Sequence, residues 1–200
     1  MSRAPYEQGV PVEERVPTFL RSGWDEKGDP MHWTRIWTLV GVVLGVLALF
    51  TKGATSDGEE LLPALNASGA PFPDGISTIW GGLDTWVQVV VVIAIVAVVI
   101  FAFMPPLNLV EKVPYALSTT LIGVALLIYA IIKFMEASDD ASALQDGFAE
   151  AAAGGAIPAA FTVSVGWGFY ALIAGTAMVA IGGLVMLIYR DSGNGDAAAA

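Results

Sequence analysis

The sequence predicts an all-α membrane protein: a bundle of four transmembrane helices with two exported connections of about thirty residues each. Three observations predict it. Of 200 residues, 56% are hydrophobic and only 14% charged, with a mean hydropathy of +0.68, whereas a soluble domain carries roughly 25% charge. Four apolar runs each reach the ~20 residues that a helix needs to cross a ~30 Å hydrocarbon core. Lysine and arginine are distributed unevenly between the connections, as the positive-inside rule requires of an inserted chain.

Residues 1–32 read as a cytoplasmic arm beside the membrane. Pro5, Pro11 and Pro17 favour extended chain, and Phe19, Leu20 and Trp24 are apolar residues with no core of their own. Such an arm suits docking on a neighbouring subunit or lying on the bilayer. His32, the only histidine, sits at the waterline; one imidazole cannot complete a multi-histidine metal site, so no metal or cofactor is expected.

A transmembrane domain over 33–190 follows, with helices expected at 33–51, 83–104, 115–135 and 165–189. The first run carries Gly41 and Gly45 in a G-x-x-x-G spacing, which lets backbones approach closely where lipid competes for every apolar contact. The second is dense in Val and Ile. In water it would read as a buried strand, but in lipid an open sheet leaves backbone groups unpaired, so a helix is the surviving form. Its smooth surface suits lipid or a partner helix. "MPPLNLVEKVP" is then a tight cytoplasmic turn, with Pro114 in the first turn of the third helix. The third run offers Gly123 beside Ser118, Thr119 and Thr120, and the fourth Ala171, Gly175, Gly182 and Gly183 as further small-residue packing positions. Residues 191–200 read as a disordered cytoplasmic tail.

The two connections that carry few cations are the exported ones. Arg3, Arg15, Arg21, Lys27, Arg35, Lys112 and Arg190 fall on one side, against Lys52 and Lys133 on the other, which places both termini in the cytoplasm. Each connection holds five carboxylates and a short segment, "SDGEELLPALN" or "DDASALQDGFAEAAA", able to form a surface helix; the second, with Leu144, Phe148 and Ala151 on one face, is expected to lie flat. Each then passes through Gly and Pro to a Trp, in "GAPFPDGISTIWGG" and "GAIPAAFTVSVGWG". Gly and Pro stop a helix and turn the chain, and the Trp marks the waterline. Trp80, Trp86, Trp167 and Tyr170 serve at the exported interface, as Trp33 and Trp37 do at the other. Asp84 is placed to pair with Lys52 or Lys133 at the exported edge. Offsets of 82, 85 and 87 residues relate Gly41 to Gly123, Pro73 to Pro158 and Trp80 to Trp167. The same plan repeated twice predicts two parallel helical hairpins related by an axis along the membrane normal.

The chain has no cysteine, which excludes disulfides, thiolate catalysis and cysteine-ligated clusters. No ionisable residue lies in mid-membrane, where proton relays and ion-coupled transporters place theirs. No phosphate-binding loop, catalytic constellation or nucleic-acid motif appears, so an enzyme is not expected. The expectation is a non-catalytic accessory or scaffolding subunit of a larger complex in a plasma membrane, the inner membrane of a bacterium. Its partners would be the bilayer and other integral subunits or its own copies. The alternative is a small transporter, channel or lipid-binding module built from the two hairpins.

Overall fold

The structure is a computed structural model that describes residues 30–69, 72–103, 109–158 and 160–188. The arm with Phe19, Leu20 and Trp24, and the tail, lie outside the described residues. The chain is mostly helical: α1 Pro30–Leu49, α2 Leu62–Ala67, α3 Thr85–Phe103, α4 Leu109–Ala153 and α5 Trp167–Ile188, with strands β1 Ala54–Ser56 and β2 Val163–Val165. Three of these helices, α3, α4 and α5, are long and apolar enough to cross a membrane; the apolar part of α1 described at side-chain level, Arg35–Leu49, is shorter.

Small residues set the way the helices meet. α5 is central, with α1 on one side and α4 on another. A methyl group on Gly41 would sit 2.7 Å from the carbonyl oxygen of Gly175, and one on Gly175 would sit 2.7 Å from the nitrogen of Gly45. On the α4 side, a Cβ at Gly123 would fall 2.6 Å from the nitrogen of Ala180, and one at Gly183 2.6 Å from that of Thr120. Backbone contact of this kind maximises dispersion contacts, the main source of helix association in lipid. Ala171 is half-buried and Gly182 buried on the same helix. The hydroxyls of Thr119, Thr120 and Thr176 donate back to Tyr115, Ala116 and Leu172 at 2.8–2.9 Å, so they satisfy themselves within their own helices. By contrast α3 touches α1 and α4 over a much smaller contact. The two expected hairpins are thus held differently: α4 packs tightly on α5, while α1 and α3 meet only lightly.

The third helix departs most from expectation. Rather than ending at 135 and yielding to a separate flat helix, α4 runs unbroken for 45 residues from Leu109, roughly 67 Å at ~1.5 Å per residue. It starts six residues early, so Pro114 lies in its second turn rather than at its start. It continues because residues 136–146 hold only helix-compatible Ala, Glu, Asp, Ser, Leu and Gln, and burial of Ala141 and Phe148 rewards the extension. Its end is a glycine cap. Gly155 adopts φ +76, Gly155 N–H donates to Ala152, and Ala156 N–H reaches back to Ala151 at 2.9 Å, the paired bonds of a Schellman motif. What remains of the second connection is therefore short.

The two connections join. β1 and β2 pair antiparallel with Thr55 opposite Ser164, and their hydroxyls lie 3.0 Å apart. Between them Thr51–Gly53 is held on both sides: Gly53 N–H donates to Ser77, Ile79 N–H to Thr51 and Gly166 N–H to Gly53, each at 2.9 Å. Gly166 and Gly168 lie against the backbone of Lys52 and the side chain of Thr51, where any larger residue would collide. A second apolar core forms here, of Leu62, Ala141, Phe148, Ile157 and Val163, with Phe72, Phe161 and Leu144 packed around it. It makes a small head at one end of the helices, separate from the core of Leu49, Leu83, Ala130, Phe169 and Leu172 below.

The expected edge pair is not formed. Lys52 bonds Glu59 and Lys133 bonds Glu136, each at 2.6 Å, because both glutamates are closer along the chain than Asp84. Asp84 instead precedes α3, where its carbonyl accepts from Gln88 N–H at 3.0 Å, the position that favours an aspartate at a helix start.

Candidate functional site

A groove of about 980 Å³ opens between the chain segment 72–83 and the head portion of α4, at the upper end of the size range of small-molecule sites. One wall is a single face of α4. Lys133, Glu136, Asp140, Leu144, Gly147 and Glu150 recur at three- and four-residue steps along it, the spacing that aligns side chains on one side of a helix. Gly147 keeps this wall low: a Cβ there would meet the ring of Phe72 at 3.5 Å. Phe72 is fixed in turn by stacking on Phe148, with centroids 5.2 Å apart.

The opposite wall is the returning stretch before α3. Asn66 donates to Asp74 at 2.7 Å, and Gln88 bridges back to the carbonyls of Trp80 and Leu83 at 3.0 and 3.3 Å, pinning the loop to the helix it feeds. Ser77 and Thr78 bring hydroxyls to this wall, and Ile76, Ile79 and Leu83 bring apolar surface. The floor is Phe169 with Gly53 and Ala54.

Below the floor lies a smaller apolar cavity of about 50 Å³, between α1, α3, α4 and α5. Ile79, Leu83 and Lys133 line both spaces, so the groove and the interior of the helices adjoin at that point. Tyr129, one turn below Lys133, lines the cavity. Its hydroxyl is buried and has no hydrogen-bond partner among the described residues, and the Lys133 ammonium stands 5.9 Å from its ring.

Charge in the head is acidic and partly unpaired. Glu59 and Glu136 are held by lysines, and Asp57 accepts from Thr162 at 2.8 Å; Asp140 and Glu150 make no ion pair among the described residues. No group of three His, Asp or Glu able to hold a metal occurs among the described residues.

The residues expected to act sort as follows. Gly41, Gly45, Gly123, Gly175 and Gly183 lie at helix crossings. Trp86, Trp167 and Tyr170 are 68%, 64% and 60% exposed, facing outward near the head end, and Trp37 is exposed on α1. Trp80 is half-buried, 6.2 Å from Phe50; Trp33 and His32 lie in the first helical turns of α1. Sequence reasoning missed the groove itself, Tyr129, Gly147, Phe72 and the role of Gln88. The wall was readable as a three- and four-residue repeat through the assumed helix end at 135, but the opposite wall depends on a loop path that no periodicity encodes. No protein-family model, curated protein or solved structure matches the chain.

Proposed function

We propose that the chain is a non-catalytic accessory subunit of a larger membrane complex, crossing the bilayer four times through α1, α3, α4 and α5. Both termini lie in the cytoplasm and the head is exported from a plasma membrane. The positive-inside asymmetry supports the orientation, and the glycine crossings of α1 and α4 on α5 support a four-helix bundle. The head is the observation that carries the role. Helices that only fill a bilayer need short linkers between them, yet here both connections and the end of α4 are built into a small body with its own core. That body presents a fixed acidic surface, and α3, lightly held by its own chain and covered in exposed Val and Ile, offers a flank for a neighbouring helix.

Sizing after gentle solubilisation tests this. The wild-type chain should migrate in an assembly much larger than one copy, and a Phe148→Asp variant, which ruins the head core but leaves the spans, should migrate alone. Migration of the wild type as a lone chain contradicts the proposal.

A further inference from the structure

We infer that the groove is a binding site for a phospholipid with a primary-amine headgroup, drawn from the bilayer. This reading rests on the membrane placement proposed above and not on the subunit role. Three features of α4 follow one another upward from the spanning region on the side facing the two adjoining spaces. Tyr129 comes first, its buried hydroxyl without a partner among the described residues. Lys133 comes next, lining both the inner cavity and the groove. Glu136 and Asp140 come above, on the groove wall. Donor, cation, carboxylate is the complement of an aminophospholipid read from its chains outward: ester carbonyl, phosphate, ammonium.

Each contact answers an observation. A buried hydroxyl without a partner carries an uncompensated desolvation cost, and an ester carbonyl beside Tyr129 removes it. Lys133 is shared with Glu136 in a pair whose side chains are 32% exposed on the Lys side and 54% on the Glu side, a geometry weak enough to open to a phosphate. Asp140, two turns above Lys133, has no cation of its own among the described residues, and an ammonium supplies one. The apolar residues Ile79, Leu83 and Phe169 at the floor belong to or pack with the lower core, so acyl chains descend beside them towards α3, where the helix contacts are sparse. Charge complementarity and continuity with the bilayer level both favour a lipid over a soluble ligand. A lipid without an amine offers the acidic wall no cation, and a cation without a phosphate offers Lys133 no anion beyond Glu136.

The test is lipid co-purification. The full chain is placed in nanodiscs of phosphatidylethanolamine and phosphatidylglycerol in equal amounts, and the lipid that survives delipidation is quantified by native mass spectrometry. The wild type should retain the amine lipid over the glycerol lipid by roughly tenfold, the ratio expected of one charge-assisted hydrogen bond. Asp140→Asn should bring that ratio close to one while binding persists, Lys133→Gln should weaken retention of both lipids, and Tyr129→Phe should weaken both without altering their ratio. Folding of each variant is checked by the thermal transition of the solubilised protein. A wild-type ratio equal to that of the bulk lipid, or an enrichment unchanged in a folded Asp140→Asn variant, overturns the inference.

Discussion

At the scale of single residues, the glycines divide by what surrounds them. Gly41 faces backbone: a side chain there meets the Gly175 carbonyl and Met178 within 2.8 Å, and neither can retreat without parting α1 from α5. Gly41→Val should destabilise the solubilised protein by roughly 1–3 kcal/mol, the usual cost of overpacking. Gly75, with open space around it, should accept Ala with little change, and thermal unfolding monitored by circular dichroism compares the two. Phe148, fully buried in the head, should lose about 3–5 kcal/mol on truncation to Ala. Because its contacts are confined to the head, the loss should appear as protease cleavage near Gly154 and Ser68 while α3 and α5 stay protected. Equal cleavage of wild type and Phe148→Ala would show that the head has no core of its own.

At the scale of elements, the spans were legible because lipid imposes one pattern: about twenty apolar residues per crossing, ended by Trp, Pro or charge. Expected helices at 83–104 and 165–189 meet observed bounds of Thr85–Phe103 and Trp167–Ile188. The error at α4 has a physical source. Hydropathy falls after Met135, and a fall in hydropathy reports the waterline, not the end of the helix; the end is fixed by Gly154 and Gly155, eighteen residues on. Strands β1 and β2 were hidden for another reason, since three-residue strands carry no periodicity and their pairing joins residues over a hundred positions apart. The candidate groove was illegible because it needs both. Spin labels at the exposed Leu121 and Ala149 test the continuous helix. A straight α4 separates their backbones by about 42 Å at ~1.5 Å per residue. A helix that turned flat after 135 would bring them to about 30 Å.

At the scale of the whole molecule, the two connections could hang as separate loops over the helices or close into one body. The hydrogen bonds from Gly53 to Ser77 and from Gly166 to Gly53 tie the end of α1 to the starts of both α3 and α5, so the head fixes the spacing of three helices at once. Breaking these ties, unlike emptying the head core at Phe148, should therefore loosen the helices, and Gly166→Leu should lower the stability of the protein even though it lies outside every helix.

One cross-link tests most directly whether the two connections join into one head on the exported side, as proposed. The chain has no cysteine, so Thr55→Cys with Ser164→Cys introduces a single possible bridge, between residues directly opposite in an antiparallel pair whose Cα separation of roughly 4.5–5.5 Å suits a disulfide. Expressed in cells and trapped with a thiol-blocking reagent before lysis, the double variant should migrate as one compact species that shifts on reduction, since disulfides persist on the exported side and not in the cytoplasm. Two free thiols, each labelled independently in the intact membrane, would contradict the account.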